Sequence, residues 1–306
     1  MKKMVNKSHI EGLLYECTLE EKVAGEKAAN PGAKYISGKI SVQVDEDNIV
    51  SIDIFENEIT KNKTANQKYP TLKTLINAAS VTNDGADKAI KVRIDSALSL
   101  NDWYNPTGEL ISSIRNFNGF THIISDKINP SATFEVDMLI VSTTDELQKN
   151  ADGEMEPTGS LILNGYIFDY AGKILPVKLL VENQEGVKYF RDLENNTFTR
   201  VWGNMITQTT TTTKTEKSAF GADKVVEYTN TRKKYVVTGV AAEPYDFGDE
   251  SVLSVAEVKE ALANREIYLA DLKTKTEQAR KKSGKAEAST STPIAKANTN
   301  DVKFDF

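Results

Sequence analysis

The sequence predicts a mainly β protein with one long helix near its C-terminus: two β units in tandem, then the helix, then a disordered tail. Three observations predict it. Residues 158–207 contain three runs of strict period-two alternation. An echo of the first two runs occurs earlier: Ile36-Ser37-Gly38-Lys39-Ile40, a turn, then 50–55 matches Leu163-Asn164-Gly165-Tyr166-Ile167, a turn, then 175–181. After Pro244 the composition shifts from strand-like to helical and then to low complexity.

Residues 1 to about 30 read as polar with a short apolar piece at 10–15, closed by the turn signal Asn30-Pro31-Gly32. A hairpin follows. Ile36, Gly38, Ile40, Val42 and Val44 alternate with polar residues, Asp45 to Asn48 turn the chain, and Val50, Ile52 and Ile54 return. The loop 60–68 is rich in Lys and Asn, and Pro70 opens a short helix over 71–79. Further strand-like runs are 90–94, 110–114, 120–124 and 134–141. Residues 144–157 read as a polar connection, so the predicted units are 1–143 and 158–245, although the run before 144 fits either unit. The threonine run 209–213 favours extended backbone, as a long hairpin arm or as a loop. Ser254 and Glu257 have capping-box spacing, and Val255, Val258, Leu262, Leu269 and Leu272 form one stripe, which predicts a helix over 251–282. Its last turns are basic, as macrodipole complementarity and a solvated face require. Residues 283–306 are a disordered linker ending in Asp301-Val302-Lys303-Phe304-Asp305-Phe306, and such a tip with a terminal carboxylate suits capture by a partner protein.

Composition excludes several classes. The chain has 306 residues, a net charge of −6, one cysteine and two histidines. Cys17 permits no internal disulfide framework and fits a reducing cytoplasm. His9 and His122 are isolated in sequence and build no zinc cluster. No run is long and apolar enough for a membrane span, and the N-terminus lacks a secretory core. Phosphate-loop, dinucleotide and zinc-protease motifs are missing, so the reading is non-enzymatic, with no cofactor and no metal.

The binding chemistry lies in the alternation. In the first run of 158–207, Leu161, Leu163, Gly165 and Ile167 share one face and Tyr166, Phe168 and Tyr170 the other. In the second, Leu175, Val177, Leu179 and Val181 oppose Lys178. In the third, Val201 and Met205 oppose Arg200 and Trp202. One face is an aliphatic core. The other interleaves rings with cations, as a surface that stacks bases and neutralises phosphates would. A covering helix would make the same rings ordinary packing, and the sequence leaves both readings open.

Gly-x-Ile first strands, exposed aromatics, a disordered linker and an acidic-aromatic tip together resemble single-stranded DNA-binding proteins of the OB-fold type, especially phage-encoded ones. The segment Phe198-Thr199-Arg200-Val201-Trp202-Gly203 resembles a strand of replication-protein-A-like OB domains. The tip is similar to the protein-recruiting tip of bacterial single-strand binding proteins, but it carries Lys303 between its two aspartates and lacks the proline before the last phenylalanine. The resemblance implies two tandem OB-like barrels and sequence-tolerant binding of single-stranded DNA in replication, recombination or repair. It places the protein in the cytoplasm, that of an infected bacterial cell if phage-encoded. It implies stacking on Tyr166, Phe168, Tyr170 and Trp202, with Lys178, Arg191 and Arg200 on phosphates. In the first unit it implies Lys39, Phe55, Lys91, Arg93, Trp103 and Tyr104. Replication or recombination proteins would be recruited by Asp301, Phe304, Asp305 and Phe306. Two other readings compete: a phage structural or assembly protein, and a protein-recruiting adaptor that binds no DNA.

Overall fold

The computed structural model describes residues 4–283 apart from 151, 219, 222, 250 and 251. In chain order the elements are β1 (Asn6–Cys17), β2 (Glu20–Val23), β3 (Lys34–Gln43), β4 (Ile49–Asn57), α1 (Tyr69–Leu75), α2 (Val81–Asp84), β5 (Lys91–Tyr104), β6 (Leu110–Ile124), β7 (Ser131–Lys149), β8 (Met155–Phe168), β9 (Ile174–Val181), α3 (Gln184–Asp192), β10 (Thr197–Glu216), β11 (Lys224–Val240) and α4 (Val255–Ser283). The chain is mainly β with a C-terminal helix, as its alternation and capping box require. Ser254 and Glu257 form the reciprocal box: the Ser254 amide donates to Glu257 Oε2 at 2.8 Å and the Glu257 amide donates to Ser254 Oγ at 3.3 Å.

Strand pairing closes two circuits of the same order. In the first, β1 pairs with β3, β3 with β4, β4 in parallel with β6, β6 with β5, and β5 with β1 again. In the second, β7 pairs with β8, β8 with β9, β9 in parallel with β11, β11 with β10, and β10 with β7. Helices α1 and α2 sit between the third and fourth strands of the first circuit, and α3 occupies the same place in the second. The sequence echo therefore marks the second and third strands of each circuit. Its glycines are sites of close approach. A Cβ on Gly38 would lie 2.2 Å from the Thr18 carbonyl oxygen, and one on Gly165 would lie 2.1 Å from that of Leu139.

One ladder joins the circuits. Asn6–Glu11 of β1 pairs antiparallel with Val136–Ser131 of β7. The opposite edge of β1 pairs with β5, and the opposite edge of β7 pairs with β10. At the end of the ladder Asp137, 0% exposed, accepts the Val5 amide at 2.6 Å and Arg200 Nε at 2.8 Å. Asn6 bridges the circuits with one side-chain amide, which donates to the carbonyls of Leu98 and Phe168 at 3.0 Å each. Glu11 holds the connector between β6 and β7 by accepting the Asn129 amide at 2.6 Å, and it also accepts Arg93 Nε at 2.8 Å.

The structure corrects several expectations. The N-terminal stretch read as polar is strand β1. Both its edges and much of its length are buried, so it shows no clean alternation. Residues 144–157 are not a connection. They include the paired ends of β7 and β8, with Leu147 opposite Pro157 and, beyond the last pair, the Asn150 amide donating to the Glu154 carbonyl at 2.8 Å. The separate runs 110–114 and 120–124 are one strand, β6. Helix α3 was not foreseen, although Asn183 caps it by accepting the Gly186 amide at 2.6 Å. The threonine run lies in β10, paired with β11 in a long ribbon.

The Asn129 amide, the largest influence, and then Arg93 hold the Glu11 carboxyl below the usual carboxylate range against the opposing effect of its burial. A depressed native pKa gives stability that is present above the ordinary glutamate value of about 4.3 and lost as pH falls through the native value. Glu11→Gln is therefore expected to destabilise the protein at neutral pH, with the gap to the parent narrowing by about pH 3, as read by urea denaturation at both pH values.

Candidate functional site

The β1–β7 ladder turns parts of both circuits into one continuous floor. Register partners run in a row across five strands: Phe120 on β6, Asp95 on β5, His9 on β1, Thr133 on β7 and Asn204 on β10. A neighbouring row runs Lys7, Glu135, Trp202 and Gly239. Above this floor lies an open trench of about 1230 Å³, lined among others by Lys7, His9, Phe117, Phe120, Tyr170 and Trp202. Four strand spacings separate Phe120 from Asn204, about 19 Å.

Rings stand at both ends of the trench. Trp202 is 41% exposed, Phe120 52% and Tyr170, in the turn after β8, 94%. Trp202 lies against its cross-strand partner Gly239. A Cβ there would fall 2.3 Å from the indole Nε1, so one indole face rests on bare backbone. At the other end, Lys68 Nζ lies 4.8 Å from the centroid of Phe120 and Arg115 lies over Phe117 at 4.4 Å. In the middle, His9 Nδ1 is 2.7 Å from Asp95 Oδ1, and His9 Nε2 is 3.7 Å from Glu11 Oε2.

The sequence-predicted residues divide. Trp202 and Tyr170 line the trench. Phe168 is fully buried, stacked on Phe198 with centroids 5.8 Å apart, and Tyr166 packs half-buried in the same cluster. The segment before α4 and its first turns, through Val252, Leu253, Val258 and Ala261, cover both rings, so a stacking role for Phe168 is overturned by burial. Burial also pushes the Tyr166 phenol up. Arg200 is engaged by Asp137 and lies 3.5 Å from Glu135, and Arg191 pairs with Asp145. Each already has a carboxylate partner, Arg200 half-buried and Arg191 on the surface. Lys178 is exposed on β9, apart from the trench lining.

In the first circuit Arg93 pairs with Glu11 and Lys91 donates to the Asp126 carbonyl at 3.1 Å. Phe55, 48% exposed, packs against Tyr35 in a tilted pair with centroids 5.1 Å apart. Lys39 lies opposite Asp53, which also meets Arg115 at 3.4 Å. Burial, and then the nearby Lys39, push the Lys233 ammonium down. Trp103 is exposed, and the Tyr104 hydroxyl donates to the Leu269 carbonyl of α4 at 3.3 Å. Asp301, Phe304, Asp305 and Phe306 lie outside the described residues.

Sequence alternation missed Phe117 and Phe120, which in a regular strand would face opposite sides. Ala97 opposes Phe117 while Asp95 opposes Phe120, so β6 carries an extra residue there and turns both rings to one face. The signal was Asn118-Gly119. Asn118 has a positive φ of 50°, and its amide completes the ladder to β4 by accepting the Phe55 N–H at 2.7 Å and donating to the Phe55 carbonyl at 3.1 Å.

A family profile described as YorF matches residues 4–275. No curated protein matches the chain. Among solved structures, the wild-type single-stranded DNA binding protein from Thermus aquaticus is similar at 8% identity over 80% of this chain and 95% of that one, with a TM-score of 0.45. A Replication Protein A heterotrimer bound to ssDNA is similar at 11% identity over 89% of this chain and 70% of that one, with a TM-score of 0.21.

Because a methyl at Gly239 would enter the space of the indole, Gly239→Ala is expected to lift Trp202 into water. In a Trp103→Phe background this appears as a red shift of tryptophan emission with far-ultraviolet dichroism unchanged. An unshifted spectrum would mean that the indole does not rest on this glycine.

Proposed function

We propose, from the premise that the chain belongs to the YorF family and closes two strand circuits of like order, that it binds single-stranded DNA along the trench. The observation that carries this reading is the continuous β floor with exposed rings along it, Phe120 beside the half-buried Phe117 on β6, Trp202 on β10, and Tyr170 in the turn after β8. Flat rings on a rigid floor accept the faces of unstacked bases whatever their identity. A duplex keeps its bases stacked and offers these rings no partner.

In this reading each circuit is an OB-like barrel. Its strand order, with a helix between the third and fourth strands, matches a five-stranded Greek-key barrel of the kind that binds oligonucleotides. The two barrels are the binding domains, divided between β6 and β7. Stacking supplies about 1–3 kcal/mol per base. Charge supplies less, because the trench sets Lys7 and Lys68 beside Asp95 and Glu135. The wider role, in replication, recombination or repair in the cytoplasm with protein recruitment by the tip at 301–306, belongs to the same proposal.

The test is fluorescence anisotropy with a labelled oligo-dT of about 30 nucleotides against the matching duplex, at low and high salt. The single strand is expected to bind far more tightly. Trp202→Ala and Phe120→Ala are each expected to weaken it by roughly fivefold to a hundredfold, from the loss of one stacked base. No binding at low salt, or equal affinity for the duplex, would retire the reading.

A further inference from the structure

The trench ends at Phe117, but the sheet does not. Beyond the pairings of β5 with β1 and of β6 with β4, which ends at Asn116 and Phe117, the strands continue together as a two-stranded arm, 99–104 with 110–115. A two-stranded ribbon alone is marginal in water. This one is held from one side by α4. Asp102, whose side chain is 4% exposed, accepts a guanidinium fork from Arg265 at 3.1 and 3.2 Å and the Ser112 hydroxyl at 2.6 Å. Arg280 donates to the carbonyls of Tyr104 and Asn105 at 2.7 and 2.8 Å, at the tip of the arm. Together with the Tyr104 bond to Leu269, these contacts place the residues at 98, 100, 102 and 104 on the inner face.

Alternation then places 97, 99, 101 and 103 outward, opposite Phe117, Arg115, Ser113 and Ile111. The outer face begins at the trench ring Phe117, passes Arg115 lying over that ring, and ends at Trp103, 44% exposed, beside the exposed Ile111. Six residues of strand carry it about 20 Å beyond the trench.

We infer that this outer face is a second stretch of binding surface for single-stranded DNA, with Trp103 as its stacking ring, and that Arg265 of α4 is the positioning residue that fixes the arm through Asp102. The inference rests on the trench reading and deepens it: α4 lies on the face opposite the bases and sets how long a strand the protein engages. A short oligonucleotide fills the trench alone. A longer one reaches Trp103.

The test compares oligo-dT of about 8 nucleotides, within one OB-type site, with oligo-dT of about 30 nucleotides, using the full chain and the variants Trp103→Ala, Arg265→Ala and Trp202→Ala. Trp103→Ala and Arg265→Ala are expected to bind the short strand as the parent does and the long strand roughly fivefold or more weakly, whereas Trp202→Ala weakens both. A general loss of structure would lower both lengths together along with the melting temperature, and for Arg265 that result overturns the positioning role. Trp103→Ala removes no α4 bond and decides the surface even if Arg265→Ala unfolds. Parent-like affinity of Trp103→Ala for the long strand overturns the inference while leaving the trench standing. Absence of binding by the parent overturns both.

Discussion

The ladder between β1 and β7 is the contact on which the rest of the structure depends. Each of these strands has both edges occupied, so β1 lies between β5 and β7, and β7 between β1 and β10. A slip of one residue would turn every side chain in the row to the other face. His9 and Thr133 would leave the floor, and Ile10 and Phe134 would leave the core. Asp137 fixes this register at one end. A buried carboxylate with a backbone amide and a guanidinium as partners has one arrangement that satisfies it, and leaving it unpaired would cost about 3–5 kcal/mol. Glu11 does the same work at the other end, on the connector. Trench, rings and arm inherit their positions from these two acids.

The strands were legible in the sequence because alternation reports a sheet with one core beneath it. Which face stays wet is another matter. Tyr166 and Phe168 alternate with aliphatic residues as a binding surface would, yet they lie under Leu253, Val258 and Ala261, more than eighty positions further along. Periodicity within a strand carries no information about a cover that arrives from so far away. Trp202 shares the pattern and stays open, because its neighbour Gly239 offers a surface and not a lid. β1 was illegible for another reason: it is paired on both edges, and Ser8, Glu11 and Gly12 are buried beside Ile10 and Leu14, so it has little alternation to show. Phe120 was hidden by the bulge at Asn118 and Gly119, whose dipeptide is the one local sign that the count of two breaks there.

Charge follows a similar logic. Six cations read as binding residues in the sequence, and folding matches three of them with acids: Arg93 with Glu11, Arg191 with Asp145 and Arg200 with Asp137; Arg232 and Lys68, outside that set, pair with Glu146 and Glu56. In a chain of net charge −6 this is unsurprising, since carboxylates outnumber cations and find them. A binding surface built in such a protein depends on ring faces more than on counterion release, and its affinity falls less steeply with salt than that of a basic groove. Lys39, opposite Asp53 in the ladder, and Arg115, 3.4 Å from it, meet at that carboxylate, and Lys233 lies within reach of both Lys39 and Asp53.

The two hairpin arms show what the C-terminal helix contributes. In the second circuit the β10–β11 ribbon is held near its base, where the Asn48 amide donates to the Met205 carbonyl and accepts the Thr207 amide, and where Arg232 meets Glu146. Further out, its described strand pairings are between its own two strands. The β5–β6 arm has α4 along its inner face, with the guanidinium fork of Arg265 midway and Arg280 at the tip. A ribbon that must be ordered on binding loses part of its contact energy to that ordering, whereas a braced one does not. The same sheet extension therefore carries different weight in the two circuits. The difference lies in a helix that contributes no residue to the described trench lining and acts through the backbone and the one buried acid of the strand beneath it.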